Sequence, residues 1–151
     1  MKSGDMEGII KIAAESFNQY GHYSNNEKTK LMGTGAIYED WARRSCLNKD
    51  FADHIIVAEL EGSIAGFLTL KIYQTGEDKY AAGVMGAVAQ VYRKHGIFRG
   101  INVASMHWAR EKLLSRIETN VLVTNFPVNK TYISLGFNII RSESTLHCWL
   151  G

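Results

Sequence analysis

VYRKHGIFRG, residues 91–100, stands at the junction of two different apolar patterns. Ahead of it, a glycine-flecked run from Tyr80 to Val91 reads as a strand. Behind it, Ile97, Ile101, Ala104 and Trp108 recur at +4, +3 and +4, which is one face of a helix. Strand, glycine turn and helix therefore follow directly. A helix N-terminus leaves about four backbone N–H groups unpaired and carries roughly half a positive charge, so an anion can bind there without dedicated side chains. Gly96 permits close approach, and Arg93, Lys94, His95 and Arg99 bracket the turn. Such a cluster suits a multiply charged anion such as a pyrophosphate better than one carboxylate. Read alone, the stretch fits a solvated basic turn equally well.

The surroundings add order. Residues 5–18 place Met6, Ile9, Ile10, Ala13 and Phe17 at helical spacing, with Asp5 suited to the first turn. Residues 20–36 are polar and read as loop and broken helix, after which IYEDWARRSCL (37–47) resumes helical spacing. HIIVAEL (54–60), a turn at 61–63 and IAGFLTLKIY (64–73) form a hairpin of strands. Beyond the helix that starts near Ile97, ETNVLVTN (118–125) reads as a short buried strand. FPVNKTYISLGF (126–137) reads as a helix with Pro127 near its start and Gly136 at its end, and FNIIRSESTLHCWL (137–150) as a terminal hairpin. A strand, helix, strand, helix order implies a parallel crossover, hence an α/β or α+β fold with a mixed sheet.

A chain of 151 residues fits one domain, 1–151, and that length buries a full core without help from a metal or disulfide. The 17 basic and 15 acidic residues are spread without a long basic tract, which argues against nucleic acid and anionic membrane as partners. Cys46 and Cys148 stand apart, with no zinc-ligand spacing, and suggest reduced thiols in a cytoplasmic setting. The longest apolar stretch, AAGVMGAVA (81–89), is far below the ~20 residues of a membrane span.

Neither G-x-x-x-x-G-K-[ST] nor G-x-G-x-x-G occurs in the chain. AVAQVYRKHGIFRGI (87–101) instead resembles the cofactor signature of the GNAT acetyltransferase superfamily, a strand followed by R/Q-x-x-G-x-G/A and a helix that receives the pyrophosphate of acetyl-CoA. Arg93 and Gly96 match that signature, while Phe98 stands where glycine or alanine is usual. TNFPVNKTYISLGF (124–137) resembles the family's N-x-x-x-x-x-x-Y-x-x-x-G-F block through Asn125, Tyr132, Gly136 and Phe137. HIIVAELEGSIAGFLTL (54–70) matches the usual hairpin. The resemblance implies a mixed, mostly antiparallel sheet with a splayed central parallel strand pair and helices on both faces. The family commonly begins with a strand before its first helix, but only MKSG precedes Asp5. That strand is expected to be absent, shortened or lost with an upstream segment, leaving an unusual sheet edge.

The resemblance further implies an N-acetyltransferase that moves acetyl from acetyl-CoA, a co-substrate, to a primary amine by direct attack in a ternary complex, with no metal. Acetyl-CoA is expected between the splayed strands, about 80–91 and 118–124, its pantetheine arm paired with backbone near Val88 and Gln90. An amide near Val88 is the expected oxyanion donor. The pyrophosphate is expected on Arg93, Lys94, His95, Gly96, Ile97, Phe98 and Arg99, with Asn125 on the pantetheine or neighbouring backbone. Tyr132 falls on the position of the general acid that protonates the leaving thiolate, and its spacing from Val128 and Leu135 also makes it a natural core aromatic. No residue is marked as the base. His95 and His107 are candidates by residue type but fit packing or solvent-facing roles better, and Glu59 and Glu77 are weaker still.

The acceptor is a small-molecule amine on this reading, and a homodimer is one assembly open to the protein. SESTLHCWL (142–150) and HYSNN…IYEDWARRS, with Tyr38, Trp41 and Ser45 as Y-x-x-W-x-x-x-S, resemble the branch that contains dTDP-fucosamine acetyltransferase and others acting on nucleotide-linked amino sugars. His22, Tyr23 and Asn25 would then supply acceptor contacts, although Tyr38 and Trp41 at helical spacing fit a core role as well. The alternatives are another small amine, such as an amino acid, polyamine or antibiotic, or a non-catalytic acyl-CoA-binding module.

Overall fold

The computed structural model describes residues 1–2, 4–17, 34–144, 146 and 148. Its elements are α1 (Asp5–Phe17), α2 (Thr34–Leu47), β1 (His54–Leu60), β2 (Ser63–Thr75), β3 (Asp78–Val88), a 3₁₀ turn (Gln90–Tyr92), α3 (Ile97–Glu111), β4 (Ile117–Thr119) and α4 (Phe126–Ser134). The strands form one sheet in the order β1-β2-β3-β4, antiparallel except for the parallel pair β3 and β4. The crossover through α3 makes that pair parallel. Among the described residues no helix is long and apolar enough to cross a membrane.

Alternation along the strands sorts the core into two layers. Ile55, Phe67, Met85 and Ala87 join Ile9, Ile12 and Ala13 of α1 and Tyr38 and Ala42 of α2 on one face. Leu68, Leu70, Ala81 and Val88 join Ile101, Trp108 and Ala109 of α3 on the other. Phe67 and Leu70 are fully buried, which contributes about 1.5–3 kcal/mol each. Gly66 sets how closely α3 lies: a Cβ there would stand 2.9 Å from both Ile101 Cδ1 and the Ala87 carbonyl oxygen.

The mixed sheet with helices on both faces is as the sequence implies, and so are the first hairpin and the order of elements. Three boundaries differ. The third strand ends at Val88 rather than Val91, because the chain turns into the 3₁₀ segment at Gln90. The strand expected over 118–125 is laddered only at Ile117–Thr119 and is half-buried, for reasons given below. The terminal hairpin is not seen in residues 138–144, which carry no strand and leave Ile139 and Ile140 76% and 73% exposed. A strand without a sheet neighbour gains no ladder bonds and little burial. Most of residues 145–151, and the loop reading of 20–33, lie outside the described residues. Among the described residues α1 is the first element and β1 an edge strand, against which Lys2 places its Nζ 2.9 Å from Glu59 Oε2.

Candidate active site

The parallel ladder between β3 and β4 pairs Ala81 with Ile117, Ala82 with Glu118 and Gly83 with Thr119, then stops. Immediately beyond it, Thr69 of β2 pairs with Met85 whereas Leu70 pairs with Gly83, so Val84 is an extra residue in β3. Such a bulge bends its strand and sharpens the local twist. Residues 120–124 consequently leave the ladder, and Val123 is 82% exposed. Thr69, fully buried, pins the bulge: its Oγ1 accepts the Met85 N–H at 3.0 Å and donates to the Met85 carbonyl at 3.3 Å.

The hydrogen-bond phase of β3 decides which groups line this fork. Ala89 N–H donates to the Ala65 carbonyl at 2.9 Å, while Gly66 stands opposite Val88. Gly66 and Val88 are thus a non-hydrogen-bonded pair, and the Val88 N–H and C=O point away from β2, toward the fork. The same phase turns out Gly86, opposite Leu68. Arg93 Nε takes the Val88 carbonyl at 3.2 Å, which leaves the Val88 amide as a donor on an open edge. Gln90 has already left the strand, its carbonyl accepting the Arg93 N–H at 3.3 Å.

At the end of β3 the chain reverses through Lys94 (φ 67°) and Gly96 (φ 76°), the residue that caps α3. Gly96 offers no side chain to the helix start, so the N–H groups of the first turn, at Ile97, Phe98 and Arg99, face outward without a side-chain cap. The four basic residues are placed differently from one another. Arg93 turns inward to Val88 and, at 3.4 Å, to the Ser16 hydroxyl; His95 Nδ1–H donates to the Arg93 carbonyl at 2.8 Å. Arg99 donates to Ser134 Oγ of α4 at 3.3 Å, and Lys94 is exposed.

Tyr132 of α4 is buried between Phe98 and Phe137, with ring centroids 5.6 and 4.9 Å away. Burial pushes its phenol pKa above the ordinary value, and a hydrogen bond with Thr119 works the other way. Thr119 closes the ladder and donates its hydroxyl to the Gly83 carbonyl at 3.3 Å, so Tyr132 stands at the vertex where β3 and β4 part. Asn125 is half-buried at the start of α4, where its carbonyl accepts from the Asn129 side chain at 3.0 Å.

The fold therefore brings Val88, the 93–99 turn and Tyr132 to one end of the sheet, and leaves other candidates elsewhere. Glu77 sits in the turn at the opposite end of β3, Glu59 is paired with Lys2, and His107 is exposed on α3. Tyr38 stacks with Phe17 at 4.7 Å and Trp41 at 6.3 Å, and it and Ser45 are buried, so the Y-x-x-W-x-x-x-S residues pack the core. His22, Tyr23 and Asn25 lie outside the described residues. A shallow cavity of about 320 Å³ between α1 and α2, lined by Glu7, Lys11 and Arg43 among others, is not at the fork. Thr69, Thr119 and Ser16 went unmarked in the sequence, because a hydroxyl within an apolar pattern gives no signal of what it binds.

A family model described as the acetyltransferase (GNAT) family matches residues 21–137. The chain belongs to the GNAT family. Its fold is shared with solved structures over nearly the whole length. A possible acetyltransferase from Clostridium difficile 630 superposes with a TM-score of 0.71 at 12% identity, covering 100% of this chain and 95% of that one. Ribosomal-protein-alanine N-acetyltransferase from Brucella melitensis biovar Abortus 2308 gives 0.68 at 14%, covering 95% and 93%. Aminoglycoside N-acetyltransferase AAC(6')-Iy, solved in complex with CoA, gives 0.61 at 17%, covering 99% and 97%. No curated protein matches the chain. The fork between β3 and β4 falls inside the segment that the GNAT model matches.

Proposed function

We propose that this chain is a one-domain N-acetyltransferase that moves an acetyl group from acetyl-CoA to a primary amine by direct attack in a ternary complex. The observation that carries the reading is the fork: a β3 edge with an outward-facing Val88 amide, a helix start at Gly96 without a side-chain cap and a buried phenol at the vertex. These groups fit the co-substrate. Free strand amides at Gly86 and Val88 match an extended pantetheine arm as an added strand would, and the first turn of α3 with Lys94 nearby matches a pyrophosphate. When bound, acetyl-CoA supplies the acyl group as a thioester.

In this mechanism the Val88 N–H holds the carbonyl oxygen as charge develops there. The amine attacks in its neutral form, its proton passing to water. As the carbon–sulfur bond breaks, Tyr132 gives its hydroxyl proton to the sulfur and is reprotonated from solvent. A phenol kept protonated by burial is in the correct state for that step. The Gly96–Arg99 amides, with Lys94 and His95 at the rim, hold the pyrophosphate, and Asn125 borders the pantetheine.

The acceptor proposed first is a nucleotide-linked amino sugar, on the resemblance of residues 22–45 and 142–150; other small amines follow. The test measures free CoA released from acetyl-CoA on adding a panel of amines that includes a dTDP-amino sugar. Release supports the enzyme, and a kcat/KM at least 100-fold above simple amines supports the sugar. Binding of acetyl-CoA, seen as a raised melting temperature without release across the panel, would favour a non-catalytic module instead.

A further inference from the structure

The motif puts a cation at position 93 beside a site for an anion, and the geometry turns that cation away from it. Arg93 Nε donates to the Val88 carbonyl at 3.2 Å, and Nη2 reaches the Ser16 hydroxyl of α1 at 3.4 Å. Two peptide planes flank Val88. In the first, the Ala87 carbonyl lies in a hydrogen-bonded pair with Phe67; in the second, Ala89 N–H is held by Ala65. The Val88 carbonyl completes the second plane, and beyond the β4 ladder at 81–83 no strand among the described residues reaches it. Arg93 does so. Both planes are then fixed, and among the described residues the Val88 N–H is the group of these planes that faces the fork.

We propose that Arg93 is a positioning residue: it aims the Val88 amide by holding the adjoining carbonyl, and through Ser16 it locks the last turn of α1 to the same edge. This rests on the acetyltransferase reading above. Arg93 is an exposed residue, so solvent screens its charge and the role lies in the direction of its two bonds. Ser16 is buried one residue before the end of α1, so the link ties the helix leading into residues 18–33 to the reacting edge of β3. Lysine can make either bond from its single head but not both in a fixed fork.

The experiment compares wild type, Arg93→Met, Arg93→Lys and Ser16→Ala for kcat and KM with acetyl-CoA and an amine found by the panel, for CoA binding by calorimetry, and for melting temperature. The expected result is a fall in kcat of roughly 10–100-fold in Arg93→Met, below the ~10²–10³-fold cost of deleting an oxyanion donor outright. CoA affinity is expected to change less than about threefold, with kcat partly restored in Arg93→Lys. Ser16→Ala, which keeps the Val88 bond, is expected to lower kcat a few-fold at unchanged CoA affinity. A tenfold or greater loss of CoA affinity at constant kcat in Arg93→Met would make Arg93 an anion ligand and overturn the proposal. Should Arg93→Met fail to fold, an unchanged kcat in both Arg93→Lys and Ser16→Ala overturns it equally. Wild type that binds neither CoA nor acetyl-CoA removes the underlying reading together with this one, whereas an active wild type matched by its variants removes this one alone.

Discussion

Phe98 meets the ring of Tyr132 edge-on, with centroids 5.6 Å apart and planes at 79°. The residue that departs from the glycine or alanine of the cofactor signature is therefore a wall of the pocket that holds the phenol. An aromatic pair of this kind contributes about 0.5–1.5 kcal/mol beyond area burial. Phe98→Leu keeps apolar volume but not the edge contact. It is expected to lower the melting temperature by about 2–4 °C per kcal/mol lost and kcat a few-fold, with CoA affinity nearly unchanged. A calorimetric scan beside steady-state kinetics checks this.

Tyr132→Phe removes the hydroxyl and keeps the ring between Phe98 and Phe137. Turnover is expected to fall by about ten-fold or more, up to the ~10²–10⁴ span of general acid–base effects, at unchanged CoA affinity. Equal rates in the two proteins would remove the acid role.

The raised pKa of Tyr132 has a pH signature of its own. Burial makes the folded state hold the phenol proton more tightly than the unfolded chain does. The resulting stability is complete below the unfolded value, about 10, and is lost as pH rises through the higher folded value. Melting temperatures of wild type and Tyr132→Phe are expected to run parallel at neutral pH, with wild type falling faster above about pH 10.

His54 titrates with the opposite sign. Its ring stacks on Trp108 at 4.8 Å, and burial, then the N-terminal ammonium and Lys112, push its pKa down. The folded state binds the proton less well, so stability present above the unfolded value near 6.5 is lost as pH falls through the lower folded value. Wild type is expected to lose more melting temperature than His54→Gln between about pH 7.5 and 5.5.

Thr69→Val keeps the shape of the side chain and strips the hydroxyl that serves both the N–H and the carbonyl of Met85. Loss of these two hydrogen bonds is expected to cost about 0.5–1.5 kcal/mol each, read from denaturant midpoints at constant slope.

Much of the local structure around this candidate site was legible in the order of residues. Gly96 after a strand, Tyr132 before Gly136 and the hairpin at 61–63 are local signals, each set by a backbone need or a fixed spacing, and the fold keeps them. What was not legible depends on partners distant in sequence. That Val84 is surplus follows only from its pairing with β2, and it is this pairing, not the apolar character of VLV at 121–123, that decides where β4 ends. The destination of the Arg93 guanidinium likewise needed Ser16, 77 positions away. FNII at 137–140 has the composition of a strand but no ladder partner among the described residues, and composition cannot supply one.

The bulge at Val84 has one more consequence. Counted from Gly83 without Val84, Gly86 and Val88 would still fall at the second and fourth places, so the same amides would look outward. The strand, however, would run straight, and residues 120–124 would meet a regular edge onto which they could zip. The gap between β3 and β4 is in that sense an unfinished sheet, a zipper stopped by a single surplus tooth, and deleting Val84 is expected to shut it while leaving Val88, Gly96 and Tyr132 in the chain.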